Sequence, residues 1–164
     1  MKKITQKLTK SIWKSSFVAL TFLFSLSVNA QDLVLQGIID FDVPSAGSDG
    51  KAIHVLVVND IDNLSLYGIG VANNGGGTDG QEYTFPAVSV LAGDNIMVAR
   101  SPEAMASFLG ATEANLMLAS SDIGQNGDDA IELFYNAEVI ETFGDVDTDG
   151  TGESWEYVDS FAYK

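Results

Sequence analysis

Apolar residues recur at every second position in short runs along this chain, and that alternation restricts the fold more than any other feature. A two-residue period sends successive side chains to opposite faces of a strand. A helix would need apolar residues three and four apart. Leu33 and Leu35, then Ile39 and Phe41, predict a first strand, with Gly37 between them marking a bulge. Residues 52–59 predict a second, with Ile53, Val55 and Val57 on one face and His54, Leu56 and Val58 on the other. A strand apolar on both faces belongs inside a sheet, covered on both sides.

The pattern continues. Tyr67, Ile69 and Val71 alternate with Gly68 and Gly70, a weaker strand, and residues 72–80 form a Gly- and Asn-rich loop. Residues 82–85 are short and extended, limited by Pro86. Residues 88–91 and 96–100 predict a hairpin around Ala92-Gly93-Asp94-Asn95. Residues 116–119 predict a further strand, and Asn126-Gly127 is a turn signal. Residues 130–135 and 139–143 predict a second hairpin around Asn136-Ala137-Glu138, and residues 155–163 a closing strand. One helix is expected over 102–109. Ser101 caps it, Pro102 suits its first position, Glu103 complements the dipole and Gly110 stops it. At two turns it reads as a connection between strands rather than a layer. Ala52-Ile53-His54-Val55 and Ala130-Ile131-Glu132-Leu133 share a pattern, read as two central strands and not as a repeat. Roughly eight short strands with frequent turns predict an all-β fold, an immunoglobulin-like β-sandwich with one short helix.

The N-terminus obeys different rules. Lys2, Lys3, Lys7, Lys10 and Lys14 precede an uncharged apolar stretch at 17–28, and Val28-Asn29-Ala30 suits a signal peptidase. Residues 1–30 therefore read as a cleaved signal peptide, with the mature domain, residues 31–164, starting at Gln31. The stretch is shorter than the about 20 residues of a membrane span, and no later segment is apolar enough to cross, so no membrane span is expected after cleavage. The protein is expected to be secreted, to the periplasm or beyond the cell. Cleavage leaves Lys51, Arg100 and Lys164 against all 23 acidic residues, a net charge of −20. Such a polyanion repels nucleic acid and releases no counterions on meeting it, so direct nucleic-acid binding is not expected. With no cysteine, stability must come from the core or from a bound ion.

Few residues could carry chemistry. His54 is the only histidine and lies in an apolar strand, which reads as a structural, hydrogen-bonded imidazole. Gly75-Gly76-Gly77 lacks the Lys-Ser/Thr and the helix of a phosphate-binding loop, and reads as a tight turn. Carboxylates abound, but no cation accompanies them to hold a phosphate. The run from Asp145 to Glu156 has the spacing of a calcium loop: Asp145, Asp147 and Asp149 at positions 1, 3 and 5, Gly150 at 6, Thr151 at 7, and Glu156 at 12, with Glu153 between. A hard cation needs six to eight oxygens, and alternate residues of a tight loop point inward. Position 8 is Gly152 rather than aliphatic, and the flanks read as strands. Two readings follow, a Ca²⁺ site and an acidic hairpin loop without an ion.

Several segments taken in order resemble the bacterial branch of the lamin tail domain family. They are Lys51-Ala52-Ile53 through Val57-Val58-Asn59-Asp60, Leu64-Ser65-Leu66-Tyr67-Gly68, Ala72 through Gly80, and Tyr83-Thr84-Phe85-Pro86. Asn126-Gly127-Asp128-Asp129-Ala130-Ile131-Glu132-Leu133, Phe143-Gly144, Asp149-Gly150-Thr151-Gly152 and Trp155-Glu156-Tyr157 complete the set. The resemblance implies an immunoglobulin-like sandwich with no catalytic residues, of a kind found as accessory modules on secreted proteins, extracellular nucleases among them. His54 stands where relatives usually carry an acidic residue. The resemblance runs to Lys164, and no nuclease domain is expected in this polypeptide. The expected function is a secreted, non-catalytic binding or structural module with a protein or surface partner. The alternative is a remnant or accessory subunit of an extracellular nuclease system.

Overall fold

The computed structural model describes residues 31–42, 47–109 and 114–164. The expected signal peptide and the helix stop at Gly110 lie outside the described residues. In chain order the elements are β1 (Leu33–Phe41), β2 (Gly50–Val57), β3 (Tyr67–Ala72), β4 (Tyr83–Thr84), β5 (Asn95–Ala99), α1 (Pro102–Leu109), β6 (Leu116–Ala119), β7 (Ala130–Tyr135), β8 (Glu138–Phe143) and β9 (Ser160–Tyr163). They form two sheets, β6-β5-β2-β1-β9 and β4-β3-β7-β8. The protein is thus an all-β sandwich with one short helix, as the alternation predicts. All strand pairs are antiparallel except β5 and β6, which run parallel and are joined through α1. No helix among the described residues is long and apolar enough to cross a membrane.

The core lies between the sheets. Ile53, Val55 and Val57 of β2 and Ile96 and Val98 of β5 meet Ile69, Val71, Ile131 and Leu133 of the second sheet, all essentially inaccessible. The register of β1 against β2 shifts between Leu35 and Gly37. The extra residue, Gln36, resets the alternation, so Leu35 and Ile38, three apart, both reach the core. β2 lies at the middle of its sheet and β7 is flanked on both sides in its own, as their shared pattern suggests. Glu141 of β8 ties the sheets at one edge. Its Oε2 accepts from Gln31 Nε2 at 2.7 Å and from the Leu35 amide at 2.9 Å, and Lys164 pairs with the same carboxylate.

Three local expectations need correction. Residues 88–91 do not form a hairpin with β5. Val90 makes one bridge, to Ile61, while Asp94 takes the Leu91 amide at 2.9 Å and closes the turn on itself. β5 pairs with β2 and β6 instead. The closing strand begins at Ser160, not at residue 155. Trp155 and Tyr157 alternate in sequence, but Trp155 lies in a turn and Tyr157 in irregular chain just before the next, where Asp159 has a left-handed φ of 49°. The third concerns β3, weak in sequence but buried at all six positions. Its glycines are required because the loop after it lies on its outer face. A Cβ at Gly70 would collide with the Gly80 carbonyl and the Phe134 ring, and one at Gly68 with Gln81 and the Tyr83 carbonyl.

The helix begins as expected: the Ala104 amide donates to Ser101 Oγ at 3.3 Å. It is more than a connection. It carries the chain across between parallel strands and covers part of the outer face of the five-stranded sheet. Its Met105 is wholly buried, in a second cluster with Ile39, Ala52, Met97 and Ala99.

Candidate functional site

Three stretches that stand out in the sequence meet at one corner. The Gly77 amide donates to the Val146 carbonyl at 2.8 Å, joining the glycine loop to the acidic run. Asp129 holds the centre. Its Oδ1 accepts from the Asn74 amide at 2.8 Å and its Oδ2 from the Asn126 amide at 3.1 Å, while its carbonyl accepts the Tyr157 hydroxyl at 3.0 Å. Asp128 is held similarly, its carbonyl taking the Gly150 amide at 2.9 Å. The glycine loop is therefore a packed turn whose neighbours are carboxylates and carbonyls, which suits no phosphate.

Within the acidic run, Asp145 Oδ1 accepts the Asp147 amide at 3.0 Å and its Oδ2 the Thr148 hydroxyl at 3.1 Å. Asp149 Oδ1 accepts the Thr151 amide at 2.9 Å, which holds its carboxyl below the usual carboxylate range. The Thr151 hydroxyl donates to Asp128 Oδ2 at 3.1 Å, and Glu156 Oε2 accepts the Gly152 amide at 3.0 Å. Asp147 and Glu153 are exposed. The six residues at calcium-loop spacing build successive turns, and among the described residues no three acidic or histidine side chains converge as a metal-binding group.

Burial pushes the Asp129 carboxyl above its ordinary range, against the pull of the two amides. Such a group binds protons more readily in the native state. Its contribution to stability is full below the unfolded carboxylate pKa, about 3.9, and is lost as pH rises through the folded value. Asp129→Asn, which cannot ionise, is expected to flatten the fall in Tm between about pH 4 and pH 7. Thermal melts across that range decide it; a parallel pair of profiles would remove Asp129 as the source.

The second site lies on the outer face of the five-stranded sheet. His54, expected to be structural, is buried there and bonded at both nitrogens. Asn95 donates its Nδ2 to the Gly93 carbonyl at 3.3 Å, which turns its Oδ1 toward His54 Nε2, 2.9 Å away. The imidazole proton is therefore on Nε2, and Nδ1 accepts from the Tyr163 hydroxyl. Burial holds the His54 pKa below its ordinary 6.5, so the ring is neutral at neutral pH. The Tyr163 ring lies over Gly37, where a Cβ would strike it.

Beside this chain of bonds is a cavity of about 430 Å³ between α1 and β9. Among the described residues its walls are Ile39 and Phe41 of β1, His54, Met97, Phe108 and Leu109 of α1, and Phe161 and Tyr163 of β9. Phe108, Phe161 and Tyr163 are each half exposed at the rim. The strand pattern explains the wall. β1 and β9 carry apolar residues on their outward positions, where a sandwich facing water would carry polar ones. Sequence reasoning noted double-faced apolarity for β2 and missed it here. Ile39 and Phe41 beyond the bulge were the available signal. No family model, no curated protein and no solved structure matches this chain.

Proposed function

We propose that the chain is an exported, non-catalytic binding module of the lamin tail type, processed to begin at Gln31 and working outside the cytoplasm. The cavity carries the binding part: a concave apolar space within the range of small-molecule sites, with a few placed polar groups in one wall. The two-sheet architecture supports the family reading, because a lamin tail domain is itself a sandwich. The chemistry supports a non-enzyme. The one histidine is committed on both nitrogens, there is no cysteine, and 23 carboxylates with three cations after processing give a phosphodiester nothing to hold it.

The test is the full chain produced with export. Its intact mass should begin at Gln31. Native mass spectrometry before and after organic extraction should reveal a small bound molecule. DNA cleavage with Mg²⁺ or Ca²⁺ that disappears on a single carboxylate substitution would overturn the non-catalytic reading in favour of the nuclease system.

Calcium stabilisation rests on loop spacing alone and has its own test. Melts are compared in EDTA and in millimolar Ca²⁺ for the parent, Asp147→Ala and Glu156→Gln. Because Asp145, Asp149 and Glu156 already accept local donors, the expected result is the same small rise in all three, from screening of like charges. A rise confined to the parent assigns an ion to the loop.

A further inference from the structure

We infer that the end of the sandwich where β1 begins and β2 stops is a docking surface for a basic, amphipathic segment of another protein. Three loops meet there, and backbone bonds hold them together. The Leu64 amide donates to the Val88 carbonyl at 2.9 Å, the Asn136 amide to the Leu66 carbonyl at 2.8 Å, and Val90 bridges Ile61. These loops leave Leu66, Val88, Leu91 and Tyr135 exposed, and Leu91, at 64%, is the most exposed large apolar side chain among the described residues. Apolar side chains scattered singly over a surface are ordinary. Several on adjoining loops, inside a polar rim, mark a contact surface. The cavity lies elsewhere, on the outer face of the five-stranded sheet, so the inference does not rest on it.

The rim decides the partner, because its charges are all of one sign. Asp60 accepts the Ala92 amide and Asp94 the Leu91 amide, each at 2.9 Å, which sets two carboxylates beside Leu91. Asp32 lies against the Tyr67 hydroxyl, and the Tyr67 ring packs on Tyr135 at 4.9 Å. Asp62 and Glu138 add exposed carboxylates in the same loops. None of the three cations among the described residues is here. Lys51 pairs with Asp40 at the far end of the β1–β2 ladder, where the Arg100 amide bonds its carbonyl, and Lys164 pairs with Glu141. Asp40 is seven residues along β1 from Leu33, about 20 Å, more than two screening lengths of about 8 Å at physiological salt. Lysines and arginines of a partner meet these carboxylates while its apolar side chains cover Leu66, Val88 and Leu91. A second copy does not fit, since a two-fold interface sets a surface against itself and would bring the same carboxylates face to face. An anionic lipid surface is repelled for the same reason.

The probe is a rhodamine-labelled peptide of alternating leucine and lysine, titrated by fluorescence anisotropy into the full chain produced with export, at physiological salt. Two control peptides replace its leucines by glycine or its lysines by glutamate. The probe should bind one saturable site, and each control at least tenfold more weakly. Leu66→Ser with Leu91→Ser should weaken binding at least tenfold. Asp62→Asn with Glu138→Gln should weaken it and flatten its dependence on salt. All four side chains are exposed, and melts establish that both variants fold. Val158→Ser, which removes a comparably exposed apolar side chain at the opposite end, should bind like the parent. Equal binding of the glycine control, or equal weakening by Val158→Ser, reduces the effect to the general attraction of a polyanion and overturns the site. Absence of binding, or parent-like binding by the folded double serine variant, overturns it as well. A dimer in sedimentation that the double serine variant dissociates overturns the assigned partner in favour of a second copy.

Discussion

Tyr157→Ala is expected to destabilise the protein by about 3–5 kcal/mol, the range for truncating a buried aromatic side chain. Tyr157 is 1% exposed although it lies outside any strand. Its ring packs edge-on against Phe143 at 5.7 Å, its amide donates to the Gly127 carbonyl at 2.7 Å, and its hydroxyl to the Asp129 carbonyl. One side chain thus pins the acidic corner to the core between the sheets. Burial also raises its pKa well beyond the ordinary tyrosine value, so it remains a neutral donor at any pH the fold survives. Tyr157→Phe separates the two contributions. It keeps the ring, leaves the Asp129 carbonyl short of a buried donor, and should cost about 1–3 kcal/mol. In denaturant melts the Ala variant should lose at least twice what the Phe variant loses. Equal losses would place the whole effect in the hydroxyl and refute the anchor.

Glu132→Met is expected to work in the opposite direction, raising stability by about 1–3 kcal/mol. Glu132 lies on the outward face of β7, opposite Gly70 and Thr142, and is 3% exposed. Among the described residues its Oε2 meets no hydrogen-bond partner. A buried carboxylate oxygen without a donor carries its desolvation cost uncompensated, and methionine has similar length and no charge. The substitution also lowers the like-charge repulsion of a strongly acidic chain. Glu132→Gln, which keeps a polar end, should gain less. Denaturant midpoints of the three proteins decide the point: a loss of stability in the Met variant means that the carboxylate is paired.

These two residues also mark the limit of what alternation can tell. β1, β2, β5, β7 and β8 were legible because apolar residues recur at every second position along most of each, and all but β8 bury the face turned to the core. Tyr157 obeys the same period with Trp155, yet it is buried from irregular chain between two turns, and no one-dimensional pattern separates those cases. Residues 88–91 mislead for a related reason. They carry strand-forming side chains, but Val88 and Leu91 are exposed and only Val90 forms a β-bridge. β3 was under-read because its glycines look like strand breakers, when the loop lying over them is what demands their lack of a side chain. The acidic run was visible as a unit, and its hydrogen-bonding was not, since Asx turns and calcium ligation use the same aspartates at the same spacing. The cavity needed knowledge that no local window holds: that β9 returns to lie beside β1, and that α1 covers only part of the sheet they share.

That return has a consequence for the order of assembly. β1 pairs with β2, which follows it after a short connection, and with β9, which arrives more than a hundred residues later. Closing so long a loop costs more entropy than closing the first, and contacts of that separation form late. Phe161 and Tyr163 travel with β9, so the cavity has no second wall until that strand docks. A molecule held between them binds the finished sheet and not a chain whose β9 is still loose. By mass action it draws β9 into place, which makes occupancy of the cavity and closure of the sheet edge two readings of one equilibrium. Amide exchange at Ala162, which pairs with Ile38 of β1, should then slow as the cavity fills, while exchange at β7, in the other sheet, should not.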